Sequence, residues 1–178
     1  MVFFTAGHVR ELTGHFFQEV AKYGPTAVMG GCFVRLIHEY VVEATMCLGP
    51  SMLPTLNRVG DVVLSEHLSV MTDNIKRGDV IISKSPTNPR QTVCKRVLGR
   101  GGDVISVPKA GNFGGTQRVE VPPGHVWLQG DNKDNSTDSR DYGPVPYGLV
   151  TGKVFYRAWP PSQAGWIKNE SWRSDLQS

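Results

Sequence analysis

From about residue 61 onward, apolar residues come in short runs that alternate with polar ones and are cut by Gly, Pro, Asn or Asp. Alternation at period two puts successive side chains on opposite faces of a strand. The runs are Asp61–Ser65, Asp79–Ser83, Thr92–Leu98, Asp103–Val107, Arg118–Val121, His125–Gln129 and Gly152–Trp159. Gly-Asp leads into three of them, at Gly60-Asp61, Gly78-Asp79 and Gly102-Asp103, as tight turns entering strands do. Sustained helical spacing is missing here, which argues against alternating β and α units. The pattern predicts a mainly β, antiparallel body over 49–160. Gly111–Gly115 reads as a hairpin or loop. Residues 161–178 read as an irregular tail, with Trp166 and Trp172 as candidates to dock on the body.

The N-terminal part has a different texture. Residues 1–24 mix Glu11 and Glu19 with Arg10 and Lys22, which fits neither a secretory signal nor an acid-free transit peptide. Residues 25–48 are richer in apolar groups but are interrupted by Arg35, His38, Glu39 and Glu43. A bilayer span takes about 20 predominantly apolar residues, and a charge near its centre costs about 2.5–3.5 kcal/mol. Arg35 and Glu39 are four apart and would pair on a helix. The residues alone favour an amphipathic helix over a span.

Composition then narrows the function classes. At 178 residues the chain holds one domain with room for an appendage. A net charge of +3, with no long basic run, gives no nucleic-acid footprint. The three cysteines, Cys32, Cys47 and Cys94, include no CxxC pair, and none of the five histidines stands at ligand spacing, so no metal site is expected. Alternation puts Cys94 opposite the apolar face of its strand, with no histidine beside it.

Three segments carry candidate chemistry. In Val93-Cys94-Lys95-Arg96-Val97, alternation sets Lys95 on the face of two valines. Packed inward, that face would desolvate the amine and favour its neutral, basic form; on an edge strand, Lys95 would instead reach water. In Gly49-Pro50-Ser51-Met52-Leu53-Pro54, glycine and prolines constrain the backbone around Ser51, either as a structural turn or as a mount for a nucleophile. Pro50 has no N–H to offer an oxyanion, whereas Ser51 has one. The third segment, Gly130 to Pro144, is dense in hydrogen-bonding groups. It fails as a calcium loop, because Val145 stands where the bidentate glutamate belongs. It remains either a solvated loop or a network that orients other groups.

Taken in this order, the three segments resemble the signal peptidase I family of serine–lysine endopeptidases. Ser51-Met52-Leu53-Pro54-Thr55-Leu56 is similar to its nucleophile motif, and Lys95-Arg96-Val97-Leu98-Gly99 with Gly102-Asp103 to its lysine motif. Gly130-Asp131-Asn132, Asn135-Ser136, Asp138-Ser139-Arg140 and Gly143-Pro144 are similar to its third motif. The resemblance implies an antiparallel β peptidase domain at 49–160 behind a membrane-anchor helix at 25–48. It makes Ser51 the nucleophile and Lys95 the general base. Ser136 would orient the lysine, Asp138 and Arg140 would form a supporting ion pair, and Met52 and Pro54 would contact substrate. Gly49 stands where many members carry a helpful hydroxyl, leaving its N–H, beside that of Ser51, for the oxyanion. No cofactor is implied. Asp138-Ser139-Arg140 points to the mitochondrial inner-membrane branch of the family. That branch implies presequence-bearing substrates, a second catalytic subunit as heterodimer partner, contact with membrane lipid, and a catalytic domain facing the intermembrane space. A self-cleaving repressor-type peptidase would need a helix-turn-helix that is not evident here, and intact Ser51 and Lys95 argue against a non-catalytic scaffold.

Overall fold

The computed structural model describes residues 20–36, 41–108 and 115–169. The chain divides into two units, residues 1–40 and 41–178. Residues 20–36 of the first unit form helix α1, on which Val28, Met29, Phe33 and Leu36 are exposed. Among the described residues, no helix is long and apolar enough to cross a membrane. The helix expected across 25–48 is interrupted: helical structure runs to residue 36, and Val42–Leu48 is strand β1. The reason is a partner that local sequence does not reveal. β1 pairs antiparallel with β2, Val59–Glu66, from Val42 opposite Glu66 to Leu48 opposite Val59. Ladder hydrogen bonds along the whole segment outweigh its weak helical pattern.

In the second unit, all seven runs read from alternation are strands. β3 is Val80–Lys84, β4 Thr92–Arg100, β5 Val104–Pro108, β6 Thr116–Glu120 and β7 His125–Gln129. β8 is Val145–Pro146, β9 Val150–Trp159 and β10 Gly165–Trp166. The short helices α2, Leu68–Met71, and α3, Ser139–Tyr142, lie between them. One sheet runs β1-β2-β9-β3-β4-β7-β8 with β10 on β9, and β5 and β6 form a separate two-stranded sheet. The expected loop at Gly111–Gly115 falls mostly outside the described residues, but the β5–β6 pairing on either side is that of a hairpin. In the expected irregular tail, β10 pairs with β9, and the Trp166 ring sits 5.8 Å from Phe155 and 5.3 Å from Tyr156. Trp172 and residues 1–19 lie outside the described residues.

Register fixes the faces of β4. Ile81 stands opposite Lys95, and Ile82 opposite Cys94; directly opposed side chains share a face. The Lys95 face joins the cluster of Ile75, Ile81, Val97, Val126, Leu128, Val145 and Val150, as the two-valine pattern predicts. The Cys94 face is also apolar. It joins Met52, Leu56, Val63, Val80, Ile82 and Val154, so β4 is covered on both sides at its centre, where alternation alone suggested one apolar face.

Candidate active site

Lys95 is carried into the body by the Val93–Val97 alternation and is only 4% exposed. Its Nζ donates to Ser136 Oγ at 2.7 Å. Burial pushes its pKa below the ordinary lysine value; Asp138 and Cys94 pull it upward, but less strongly. The third segment is therefore a network rather than a solvated loop. Its anchor is Asp138, which is fully buried. This carboxylate caps α3, and its partner Asp141 reaches back to the Asp138 N–H, making a capping box. It accepts from Arg140 Nε at 2.9 Å, from Arg140 Nη2 at 3.0 Å and from the Gly130 N–H at 2.9 Å. Burial would raise its pKa, yet these donors together with the Ser136 hydroxyl hold it below the usual carboxylate value.

A serine hydroxyl has one proton. Ser136 Oγ accepts from Lys95, which leaves that proton for the Asp138 carboxylate, whose pKa it helps to lower. A neutral Lys95 amine can satisfy that oxygen with an N–H and keep its lone pair free on another side.

The Ser51 segment, Pro50–Met52, is a 3₁₀ turn entered through Gly49 at φ 116°, a left-handed conformation that favours glycine. The polar loop clamps this turn from behind. The Asn132 N–H donates to the Ser51 carbonyl at 3.0 Å, and Asn132 Nδ2 donates to the Pro50 carbonyl at 3.1 Å. Gly130 fills the space between. A methyl there would overlap Ser136 Oγ and stand 2.5 Å from the Ser51 carbonyl oxygen. Ser51, Lys95 and Ser136 line one cleft of about 430 Å³, together with Leu48, Met52 and Cys94.

Two expected residues stand differently. Gly49 lines the cleft, but its N–H is committed to the Arg58 carbonyl at 2.8 Å, so it is not free to face an oxyanion. Pro54 is not on the cleft; it borders a separate hollow of about 310 Å³ beside Thr55, Arg157 and Trp166. Met52 does reach the cleft but is 3% exposed and belongs to the core beneath it.

The sequence reading also passed over a buried ion pair. Arg96, 1% exposed, donates to Asp131 through Nε at 2.8 Å and Nη2 at 2.7 Å. It also donates through Nη1 to the Gly78 carbonyl at 2.7 Å. Asp131 accepts from Thr55 Oγ1 as well. The pair ties β4, the segment after Ser51 and the start of the polar loop to one another. Its sequence signal was Arg96 on the face opposite Lys95, where a buried cation demands an acidic partner. Among the described residues no cluster of His, Cys, Asp and Glu is arranged to hold a metal ion.

The model of the family described as signal peptidase, peptidase S26, matches residues 20–113 and 106–159. The chain belongs to this family. It is a serine endopeptidase of the signal-peptidase type. It is 47% identical over 140 residues to mitochondrial inner membrane protease subunit 1 of Mus musculus, covering 78% of this chain and 82% of that protein. It is 45% identical over 148 residues to the Schizosaccharomyces pombe protein of the same name, covering 82% and 90%. Mitochondrial inner membrane protease subunit 2 of Danio rerio is 43% identical over 119 residues, covering 65% of this chain and 63% of that protein. The relatives of this peptidase are thus named as subunits of a mitochondrial inner-membrane enzyme.

Proposed function

We propose that this peptidase removes sorting presequences from proteins delivered to the mitochondrial intermembrane space, with Ser51 as nucleophile and Lys95 as general base. One observation carries the assignment. A buried lysine with a lowered pKa is held by Ser136 in the same cleft as a serine on a glycine–proline turn. Ser51 Oγ attacks the carbonyl carbon of the scissile bond while Lys95 Nζ takes its proton. The Ser51 N–H faces the developing oxyanion. The proton passes from Lys95 to the leaving amine, and an acyl-enzyme ester remains. Lys95 then deprotonates a water that hydrolyses the ester and frees Ser51. Ser136 keeps the amine aimed, and Asp138 with Arg140 keeps Ser136 aimed. An extended substrate adds as a strand along the cleft, one of the recurring ways in which peptides bind.

The supporting assignments are of the same kind. The N-terminal stretch around α1 associates with the inner membrane, the catalytic unit faces the intermembrane space, and a second catalytic subunit completes a heterodimer. The names of the relatives support the inner-membrane setting and the two-subunit enzyme. The test of the chemistry is cleavage of a model presequence by the wild type, Ser51→Ala and Lys95→Ala. Loss of a base or nucleophile costs about 10²–10⁴-fold or more. Wild-type kcat/KM in either variant would refute the dyad. Carbonate extraction of isolated mitochondria, protease protection of intact mitoplasts and co-purification with the second subunit test the placement.

A further inference from the structure

Beside the Ser51 and Lys95 cleft lies a pair of thiols that the proposed reaction does not use. Cys47 is on β1, two residues before Gly49, and Cys94 is on β4, next to Lys95. Both are partly exposed, both line the cleft, and both pack on the apolar cluster built around Met52 and Ile82. Three strands, β2, β9 and β3, separate β1 from β4 along the sheet. A cross-link here would therefore span the cleft and would not staple neighbouring strands.

From this juxtaposition we propose that Cys47 and Cys94 are a thiol-modification site, forming a reversible disulfide that shuts the substrate cleft when the protein meets a disulfide oxidant.

The two thiols are near enough to shift each other's ionisation. The Cys94 thiol holds Cys47 below its ordinary pKa, against burial and Asp61, while Cys47 and burial push Cys94 up. Cys47 is thus the first thiolate, and the thiolate is the attacking species. Its sulfur attacks an incoming small-molecule disulfide, forming a mixed disulfide and releasing one thiolate, which takes up a proton. Cys94 then loses its proton to solvent base and attacks the Cys47 sulfur, expelling the second thiolate. Two protein thiols become one disulfide and the oxidant becomes two thiols, with two electrons transferred. The product bond would lie across the space where an extended substrate must enter. Cys47 leads directly into the Ser51 turn, and Cys94 adjoins Lys95, so the bond would also pull on the mounts of both residues.

The test uses the full chain carrying Cys32→Ser, which leaves Cys47 and Cys94 as the remaining cysteines. It is incubated with excess glutathione disulfide, and both thiol content and cleavage of a model presequence are followed. The expected result is loss of both thiols, no retained glutathione, and a Cys47–Cys94 linked peptide by mass spectrometry. Cleavage should fall about tenfold or more, because substrate can no longer be positioned, and dithiothreitol should restore it. Cys47→Ser and Cys94→Ser, each compared with itself before and after oxidant, should lose this response. The proposal is overturned if glutathione stays on Cys47 without a cross-link, if the cross-link forms and cleavage is unchanged, or if the single variants respond as their parent does. The inference rests on the cleft being the substrate site. Because the cross-link is read by mass and cleavage by turnover, failure of the thiol chemistry is distinguishable from failure of the peptidase reading.

Discussion

Replacing Gly130 with alanine tests whether the polar loop positions the dyad or only packs beside it. The added methyl would overlap Ser136 Oγ, and it would stand 2.5 Å from the Ser51 carbonyl oxygen and 2.6 Å from Ser136 Cβ. The Ser51 oxygen is backbone, and Ser136 Oγ is tied to Lys95. To reach a tolerable separation, Ser136 Oγ must retreat by roughly 1 Å. Its bond to Lys95 starts at 2.7 Å, so a retreat of that size takes the pair beyond hydrogen-bonding range. Overpacking of this kind costs about 1–3 kcal/mol of stability. Misplacing a catalytic group by 1 Å costs about 10²-fold in rate, or about 2.7 kcal/mol at 1.36 kcal/mol per decade. The assay is kcat/KM on a model presequence across pH, beside a urea titration at one pH. The expected outcome is a loss of about two decades in kcat/KM with the protein still mostly folded. An alanine variant with wild-type kcat/KM and an unshifted pH profile would refute the positioning argument. A variant that is inactive only because it is unfolded would show as a lost urea transition.

Other predictions follow from the same network. Ser136→Ala removes the acceptor that aims Lys95; kcat should fall about 10–10²-fold with KM little changed, since the loss is in the transition state. Activity should rise from acid to alkaline pH as Lys95 becomes neutral, with an apparent pKa below the free-lysine value of about 10.4; a flat profile with chemistry limiting would contradict it. The same shift carries a stability sign. Between the lowered folded pKa and the ordinary value, the unfolded chain binds more protons, so Lys95 makes stability increase with pH across that window. A Lys95→Met variant, compared with wild type by urea titration from neutral to alkaline pH, should lack that rise. Asp131→Asn leaves Arg96 buried without its charge partner, which costs about 3–5 kcal/mol and is read as a lowered urea midpoint.

Much of the body was legible because its strands alternate cleanly, and Lys95 was legible because it interrupts one of those alternations between two valines. β1 was not. Val42-Glu43-Ala44-Thr45-Met46 does alternate, but it directly continues the apolar stretch read as a helix, and its ladder with β2 is what sets it apart. β8 and β10, two residues each, are too short to carry a period. In the site, the three motifs pointed to Ser51, Lys95, Ser136, Asp138 and Arg140. The Asn132 clamp and the Arg96–Asp131 pair were hidden because each joins segments far apart in the chain, and pattern within one strand does not report its partner across the fold. The oxyanion role given to Gly49 failed for the same reason: the Arg58 carbonyl that takes its N–H comes from the far side of a turn.

Strand β9 decides whether the two halves of the site share one sheet. It is the last long strand among the described residues, yet it lies between β2 and β3 and pairs with both. The Ser51 turn hangs on the β1–β2 side of it, and Lys95 on the β3–β4 side. Until residues 150–159 have arrived and inserted, these two halves share no intervening strand, and nothing in the sheet sets their spacing. A chain without residues 150–159 would thus carry every residue of its dyad and its polar network with no sheet to set the distance between Ser51 and Lys95; β9 is the strand that makes one site out of two halves.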